Sequence, residues 1–316
     1  MNLTFFVLLD CEVLMKKEKV FVSHGDLILD KIYDTNLQFL KQDGGGCNWN
    51  DLYNLAVMGE SCYAIGSKGN DEEGQLALQA LSKVNINTDY IITENKKTNI
   101  MNIIIPNTKL NDNSIIHSWY SPITNEYTMN FSNNLPTFLP KELEDKQLYI
   151  ILDKFLPINL KFLQNIKSNC SICLDIGHIR FFEHFTKQYL TAFFSMTQFI
   201  QINDNVTDLL FERFSVQNVT EFFKLFDFDL LILTKGKKGA TFVFCENGEI
   251  KTINKQPEII VDIVDSSGAG DAFFSKALQQ YAYAENIDSD FVNHTFTLAN
   301  KASRDVLLQV GSRIKN

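Results

Sequence analysis

Residues 265–273, near the C-terminus, read DSSGAGDAF and place small residues between two carboxylates. The small residues Gly268, Ala269 and Gly270 precede Asp271 where a helix is predicted to begin. Backbone N–H groups at a helix start can bind an anion, and the helix dipole adds positive potential there. A carboxylate at such a site fits a general base that removes a proton from a hydroxyl as this attacks a phosphoryl group held by the amides. The motif therefore indicates phosphoryl transfer to an alcohol.

The same stretch has a purely structural explanation. An Asp at the start of a helix is commonly an N-cap, and glycines there can let a strand and a helix pack closely. The motif alone gives no reason to prefer the catalytic explanation of Asp271, so the choice depends on the rest of the chain.

The elements that flank the motif are a predicted strand and a predicted helix. Residues 259–264 form a short run rich in β-branched side chains, which is typical of a buried strand. Beyond the glycines, Phe273, Ala277 and Leu278 recur at helical spacing, so a helix is predicted from near Gly270. The glycine turn would then join the end of a strand to the start of a helix.

Short apolar strands alternate with helices along most of the chain. This alternation predicts an α/β fold with a doubly wound, mostly parallel sheet. Residues 26–45 and about 97–128 break the pattern with strands that no helix separates, and they predict a small β-strand lid. One domain is predicted over residues 20–316. Residues 1–19 are predicted to hold an extension and the start of the first strand, with residues 1–14 dispensable.

Glycine clusters lie where the predicted parallel strands end. In open parallel sheets, ligands bind beyond the carboxyl ends of the strands, so these clusters indicate a ligand that carries phosphates. The clusters are Gly25, Gly44–Gly46, Gly66 and Gly69, Gly236 and Gly239, and Gly268 and Gly270. The chain has no Walker A motif and no protein-kinase HRD set, and in GAGDAF Phe273 replaces the third glycine of a dinucleotide-binding motif.

The composition argues against several classes of partner. Of the 316 residues, 45% are hydrophobic and 21% are charged, and the net charge of −9 argues against nucleic acid. No apolar stretch is long enough for a transmembrane helix, and the apolar run at 3–9 lacks the preceding basic residues of a signal peptide. We therefore predict a cytoplasmic protein with no membrane partner. Cys170 and Cys173 are predicted to lie on a strand, where their thiols point to opposite faces.

Six motifs, in order and spacing, resemble those of the ribokinase-like (PfkB) carbohydrate kinase family, from about Val20 to the end of the chain. DSSGAGDAF resembles its C-terminal signature. GGCNWNDLYNLAVMG resembles its N-terminal signature, in which two glycines are followed, after three residues, by Asn50 and by a helix that ends at Gly59. The other four stretches are GDLILD, IGSKGNDEEG, LTKGKKGA and LANKAS.

The resemblance implies a doubly wound core, a lid of β-strands and transfer of the γ-phosphate of ATP to an alcohol. It makes Asp271 the general base and makes Gly268, Ala269 and Gly270 the anion hole. It assigns the substrate hydroxyls to Asp30, Gly45, Gly46 and Asn50. It assigns the nucleotide to Thr234, Gly236, Gly239 and Asn300.

The resemblance also implies magnesium, which family members organise with an Asn-x-x-Glu motif. This chain departs from the motif, because Asn203 is followed by Val206 at the Glu position. A register shifted by two residues gives Asn205 and Asp208 and keeps a carboxylate, so both registers stay open. Asp265 resembles a position that binds a monovalent cation such as K⁺ in some members.

A second departure lies in the sequence DIGHIR. Some members that act on sugar acids carry Asp-x-Asn-x-Arg here, and this chain keeps Asp175 and Arg180 but has Gly177 at the Asn position. The resemblance leaves the identity of the sugar open.

The sequence favours a kinase of a small sugar or polyol and leaves two alternatives. A nucleoside kinase of the same family would need an aromatic slot for the base, for which Trp49, Trp119 and Tyr120 are candidates. A protein that only senses a sugar or a nucleotide is favoured by Val206 and opposed by the intact turn at Asp271. An apolar outer face of the lid would need to be covered, so a homodimer through the lid is predicted.

Overall fold

Thirteen strands and eight α-helices make up the regular structure of the residues that the computed structural model describes, which are 17–105, 115–166, 169–177, 184–258 and 263–315. The predicted dispensable segment, Arg180 and the first four residues of the strand predicted over 259–264 lie outside these ranges. None of the described helices is long and apolar enough to cross a lipid bilayer.

The strands divide between two sheets. In chain order they are β1 (Lys19–Asp26), β2 (Ile28–Tyr33), β3 (Phe39–Gly45), β4 (Ser61–Gly69), β5 (Ile86–Glu94), β6 (Asn99–Ile104), β7 (Ile116–Ser118), β8 (Gln147–Leu152), β9 (Cys170–Ile176), β10 (Thr197–Asn203), β11 (Leu230–Thr234), β12 (Ala240–Glu246) and β13 (Glu249–Lys255). The large sheet has the order β13-β12-β11-β10-β9-β8-β1-β4-β5, and the small sheet has the order β3-β2-β6-β7. In the large sheet the seven neighbouring strands β11-β10-β9-β8-β1-β4-β5 are all parallel. Strands β12 and β13 extend the sheet as an antiparallel edge.

Helices cover both faces of the large sheet. They are α1 (Cys47–Val57), α2 (Glu72–Ser82), α3 (Pro157–Asn165), α4 (Lys187–Phe194), α5 (Asp204–Phe214), α6 (Val219–Phe223), α7 (Ala269–Tyr283) and α8 (Ser289–Leu307). One hydrophobic core joins the sheet to α1, α2, α7 and α8, and a second core on the opposite face joins it to α3, α4, α5 and α6. Because both faces are covered, strands β8 and β11 are nearly continuous apolar runs rather than alternating ones. This arrangement confirms the predicted doubly wound α/β fold.

The small sheet is built from the two regions that broke the α/β pattern. Strand β2 pairs antiparallel with β3 and parallel with β6, and β6 pairs antiparallel with β7. The prediction of strands without intervening helices is therefore confirmed for the described parts of residues 26–45 and 97–128.

The order of the large sheet reverses between β1 and β8. The chain leaves β1 toward β4 and β5 on one side, and it continues from β8 through β9, β10 and β11 on the other. Two neighbouring strands whose connections leave in opposite directions open a crevice at their carboxyl ends, which is where open α/β sheets bind ligands. The topology therefore points to the loops that follow β8 to β11.

The glycine turn before α7 has the predicted helix but not the predicted strand. Helix α7 starts at Ala269, one residue before the expected Gly270. Ile263 and Val264, by contrast, are in no strand and are 41% and 50% exposed, so the predicted buried strand is wrong at these two residues. A backbone bond from Val264 N–H to the Leu307 carbonyl holds this segment against the end of α8 instead.

Candidate active site

A cavity of about 650 Å³ lies between the carboxyl ends of β8 to β11 and the small sheet. It brings together many of the residues singled out from the sequence, namely Asp30, Gly46, Asn50, Asn203, Asn205, Thr234, Gly268, Gly270 and Asp271. The residues that do not line it are Gly45, Asp208, Gly236, Gly239, Asp265, Ala269 and Asn300. Of the positions that the resemblance assigned, the cavity thus includes most of the acceptor and anion residues but only Thr234 of the nucleotide residues.

Asp271 lies on the first turn of α7 and is 8% exposed. Asn50 Nδ2, on α1, donates a hydrogen bond of 2.8 Å to Asp271 Oδ2. Burial raises the pKa of the Asp271 carboxyl to about 6, although the bond from Asn50 favours the charged form. A carboxyl with a pKa near neutrality can accept a proton in the reaction and release it afterwards, which is what a general base requires. The structural N-cap explanation does not fit, because the helix begins at Ala269 with Gly268 as its N-cap.

Gly268 has a left-handed backbone with φ of 73°. A Cβ added there would lie 2.0 Å from the Ser312 carbonyl oxygen in the C-terminal tail (residues 308–315). Only glycine therefore fits at this position of the turn. The next residues, Ala269, Gly270 and Asp271, form the first helical turn, whose N–H groups have no partner one turn earlier in the helix. Ala269 N–H donates a long bond of 3.5 Å to the Ser266 carbonyl, and the positive end of α7 lies beside the carboxylate of Asp271.

Asp265 ties this turn to the C-terminal tail. Its Oδ1 accepts a bond of 2.8 Å from Ser267 N–H, and its Oδ2 accepts a bond of 2.9 Å from Gly311 N–H. These bonds give Asp265 a structural role, and a monovalent-cation role for it stays a prediction.

Asp30 on β2, to which the resemblance assigns the acceptor, lines the cavity and packs against Gly45 on β3. A Cβ on Gly45 would lie 1.8 Å from Asp30 Oδ1, so the glycine lets the carboxylate lie flat against β3. Asp30 Oδ1 is buried and has no hydrogen-bond partner among the described residues. Burial raises the pKa of Asp30 to about 7, against the opposing charge of Arg313. A buried oxygen without a partner is a ready acceptor for a hydroxyl of a bound ligand.

Three carboxylates meet behind the acceptor site. Asp51 on α1, Asp175 on β9 and Asp271 each offer an oxygen within 4.8 Å of the others. Burial raises the pKa of Asp51 and of Asp175 well above the ordinary range, and the charge of Asp271 adds to both shifts. Gln201 Nε2 donates to Asp175 Oδ1 at 2.9 Å and to the Gly270 carbonyl at 3.2 Å, which joins the cluster to the glycine turn. Groups this close share protons and titrate as a unit.

The nucleotide end is formed by Thr234 at the end of β11 and by the start of α5. Asn203 is the N-cap of α5, and its side chain accepts a bond from Asn205 N–H. Val206 is fully buried in the core below α5, whereas Asp208 is exposed and does not reach the cavity. This geometry favours the register of Asn203 and Val206 over the shifted one, and it leaves the first turn of α5 without a carboxylate that lines the cavity.

Several residues in or near the cavity were not predicted from the sequence. Asp153 and Lys154 directly follow β8, line the cavity and pair with each other. The signal was present, because a charged pair after a fully apolar strand is placed at the ligand-binding edge of a parallel sheet. Arg313 was also missed, because its site depends on the path of the C-terminal tail rather than on a local pattern.

The three candidate aromatic residues lie in different surroundings. Trp49 is buried below the site, where its Nε1 donates to the Asp26 carbonyl. Tyr120 is exposed and packs against Tyr127. Trp119 alone of the three lines the cavity.

Known proteins resemble the chain over nearly its whole length. The family profile described as "pfkB family carbohydrate kinase" matches residues 33–315. A curated relative, the ATP-dependent 6-phosphofructokinase of Thermoanaerobacterium thermosaccharolyticum, is 23% identical over 87% of this chain and 86% of its own.

Two solved structures illustrate the shared fold. The aminoimidazole riboside kinase of Salmonella enterica, complexed with aminoimidazole riboside and an ATP analogue, superposes with a TM-score of 0.68 at 17% identity, over 93% of this chain and 95% of its own. The fructokinase of Vibrio cholerae O395, bound to fructose, ADP and calcium, has a TM-score of 0.66 at 16% identity, over 94% of each chain. At these identities the likeness concerns the fold alone.

Proposed function

We propose that this chain, which belongs to the pfkB family of carbohydrate kinases and is therefore a phosphotransferase, moves the γ-phosphate of ATP to a hydroxyl of a small sugar or polyol. The observation that carries the proposal is the position of Asp271. Its carboxylate lies in the same cavity as Gly268 and Gly270 at the start of α7 and Asp30, which has a buried oxygen without a partner among the described residues. A base, an anion-binding turn and a hydroxyl-binding carboxylate are the parts that this reaction needs.

The proposed reaction follows from this geometry. Asp271 takes the proton of the acceptor hydroxyl, whose oxygen forms a bond to the γ-phosphorus of ATP. The bond between that phosphorus and the oxygen bridging it to the β-phosphate breaks, and ADP leaves with the bonding electrons. The N–H groups of Gly268, Ala269 and Gly270 offset the negative charge on the phosphoryl oxygens, which is the main task of a protein in phosphoryl transfer. Thr234 and the loop with Gly236 and Gly239 are proposed to hold the nucleotide, and Asn300 to flank its adenine.

The acceptor is oriented by side chains that hold hydroxyl groups. We propose that Asp30 accepts a bond from one hydroxyl and that Asn50 and the backbone of Gly46 bind its neighbour. The small sheet, from which Asp30 projects, is proposed to act as the lid that shields the reaction from water.

The residues at the start of α5 fit a hydrated magnesium ion that is held mainly by the phosphates. Asn203 and Asn205 would offer amide oxygens, which are hard donors of the kind that Mg²⁺ prefers. When bound, the ion neutralises negative charge on the phosphates.

A nucleoside is the second candidate acceptor. Trp119, Met101 and His117 line the part of the cavity under the small sheet, and this surface could stack on a flat base. A sugar kinase and a nucleoside kinase would use the same base and the same anion hole, so the two proposals differ only in this contact.

A screen for acceptor-dependent release of ADP tests the proposal. Sugars, sugar phosphates, polyols and nucleosides are each supplied with ATP and Mg²⁺, and the phosphorylated product is identified by mass spectrometry. We expect one class of acceptor to release ADP in proportion to product. Binding of ATP and a sugar without ADP release from any acceptor would contradict the proposal and favour a sensor.

A further inference from the structure

The C-terminal tail, residues 308–315, is part of the catalytic region rather than a free end. Gly311 N–H donates to Asp265, and Ile314 N–H donates to Asn54 Oδ1 at 2.9 Å. Gln309 Nε2 closes the segment on itself with a bond of 2.6 Å to the Arg313 carbonyl. These bonds fix the tail against α1 and the glycine turn, and they aim the side chain of Arg313 inward.

Arg313 is 9% exposed and lies next to the residues that carry the proposed chemistry. Its guanidinium lies over the ring of Tyr53, 4.5 Å from the ring centroid, and its Nε donates a bond of 3.0 Å to Asn50 Oδ1. Asn50 Nδ2 in turn donates the bond of 2.8 Å to Asp271 Oδ2. A continuous chain of two hydrogen bonds therefore joins a buried cation to the base.

The direction of these bonds matters because an amide has two different ends. A guanidinium can only donate, so the end of Asn50 that faces Arg313 must be its carbonyl oxygen. The NH₂ end is thereby left to face Asp271, where it can donate to a carboxylate. The reverse orientation would set two N–H groups of Asn50 against the cation and its carbonyl against the carboxylate, and both contacts are repulsive.

We propose that Arg313 is a positioning residue, which fixes Asn50 as a hydrogen-bond donor to Asp271 and so keeps that base ionised and oriented. This inference rests on the proposed function, because it assumes that Asp271 is the base. It adds that the tail, which carries none of the sequence motifs, sets the protonation of the reaction centre.

The charges around Asp271 explain why a cation is needed there. Asp271 interacts electrostatically with four other carboxylates, which are Asp153 after β8, Asp175 on β9, Asp51 on α1 and Asp30 on β2. The cations close to this group are Arg313 and Lys154, and Cys47 on α1 adds a hydrogen bond to Asp271. Carboxylates outnumber cations in this set, so the loss of one cation should favour protonation of Asp271.

The rest of the guanidinium is free of competing bonds. Nη1 and Nη2 are buried and make no hydrogen bond among the described residues. The nearest counter-charge is Asp43 on β3, whose Oδ1 lies 3.8 Å from Nη1. Among the described residues, the side chain of Arg313 donates its one hydrogen bond to Asn50, as a positioning role requires.

The test is a pH titration of the Asp271 carboxyl carbon by NMR in protein labelled at aspartate, with the resonance assigned from Asp271→Asn. It compares the wild type with Arg313→Met and with the control Arg304→Met, which removes an exposed arginine on α8. We expect Arg313→Met to raise the apparent pKa of Asp271 by about one unit. Arg304→Met should leave it unchanged. Arg313→Gln removes the same charge but keeps a side-chain N–H donor for Asn50, so it should raise the pKa of Asp271 by less than Arg313→Met does.

Turnover gives a second, separate readout once an acceptor is known. The acidic midpoint of the kcat profile should move up in Arg313→Met together with the NMR midpoint, while KM for ATP stays near the wild-type value. A folded Arg313→Met in which Asp271 titrates as in the wild type would overturn the inference, and so would equal shifts in Arg313→Met and Arg313→Gln, because the lost charge alone would then explain them. The NMR result does not need turnover, so a shift without any kinase activity would uphold the link from Arg313 through Asn50 to Asp271 and would refute the proposed function instead.

Discussion

At the scale of single residues, the site is a carboxylate surrounded by other carboxylates. Asp271 has the lowest pKa of the three that meet behind the acceptor site, about 6, whereas burial raises the pKa of Asp51 and Asp175 much further. The bond from Asn50 separates Asp271 from the other two. One member of the cluster can therefore be ionised near neutral pH while its neighbours stay protonated.

The raised pKa of Asp271 predicts how the rate depends on pH. A base must be ionised to act, so kcat should be constant above pH about 6 and should fall about tenfold for each pH unit below it. The measurement is kcat at saturating acceptor, because Asp30, whose pKa burial raises to about 7, is expected to affect acceptor binding over the same range. A kcat that stays flat down to pH about 4.5 would argue against a base with this pKa.

Replacement of Asp51 by asparagine is expected to increase the thermal stability of the protein. Its folded pKa is raised above the unfolded value, so the folded protein loses stability as the pH rises from the unfolded pKa toward the folded one. Asp51→Asn removes this titration, and its amide can still accept the bond from Ser275. We expect the melting temperature of Asp51→Asn to exceed that of the wild type, by more at pH about 8 than at pH about 5.

The control for Asp51→Asn is Asp227→Asn, which changes an exposed carboxylate and should leave the melting temperature within error at both pH values. Thermal unfolding followed by calorimetry is the measurement. A lower melting temperature for Asp51→Asn at high pH would show that the carboxylate stabilises the fold.

At the scale of elements, the start of α5 shows how far a motif can be interpreted without its surroundings. The sequence left two registers open, and burial distinguishes them, since Val206 packs into the core while Asp208 points away from the cavity. The helical period alone could have suggested this, because Val206 and Leu210 are one turn apart and both fully buried.

The start of α5 also predicts which side chain affects the Mg²⁺ dependence of the rate. Asn205→Ala should raise the Mg²⁺ concentration for half-maximal rate about fivefold, because one hydrogen bond between neutral groups contributes about 1 kcal/mol. Asp208→Ala is the matched control on the same helix and should leave that concentration unchanged. Titration of the rate with Mg²⁺ at fixed ATP is the measurement, and a larger effect from Asp208→Ala would restore the shifted register.

At the scale of the whole molecule, the small sheet carries several large apolar side chains that are more than half exposed. Phe39 and Leu40 on β3 are 54% and 52% exposed, and Ile116 on β7 is 55% exposed. Exposed apolar side chains at the edges of a sheet commonly mark an interface, so we propose that two copies of the chain pair through their small sheets.

The proposed dimer predicts the effect of one substitution. Phe39→Asp should convert the dimer to a monomer, because it places a charge on the surface of the small sheet that the second copy is proposed to cover. Phe138→Asp is the control, since Phe138 is 66% exposed but lies outside the small sheet. Light scattering after size exclusion is the measurement, and a wild type that is monomeric at micromolar concentration would contradict the dimer.

The fold and half of the site could be predicted from the sequence because they depend on local patterns. Strand and helix periods, glycine turns and the position of Asp271 can all be recognised in short stretches of the sequence. The contacts that complete the site join residues far apart in the chain, as Asn50 and Asp271 do, or depend on the path of the tail, as Arg313 does. No period or motif encodes such contacts, so only the folded chain shows them.

The most direct test of the central claim is a side-by-side measurement of the wild type and Asp271→Asn. ATP binding is measured by calorimetry, and acceptor-dependent ADP release is measured with the acceptor found in the screen. We expect near-equal affinity for ATP and a rate that falls by ~10²–10⁴-fold in the variant, because the isosteric amide cannot take the proton of the hydroxyl. Turnover close to that of the wild type would contradict the assignment of Asp271 as the base and, with it, the proposed mechanism.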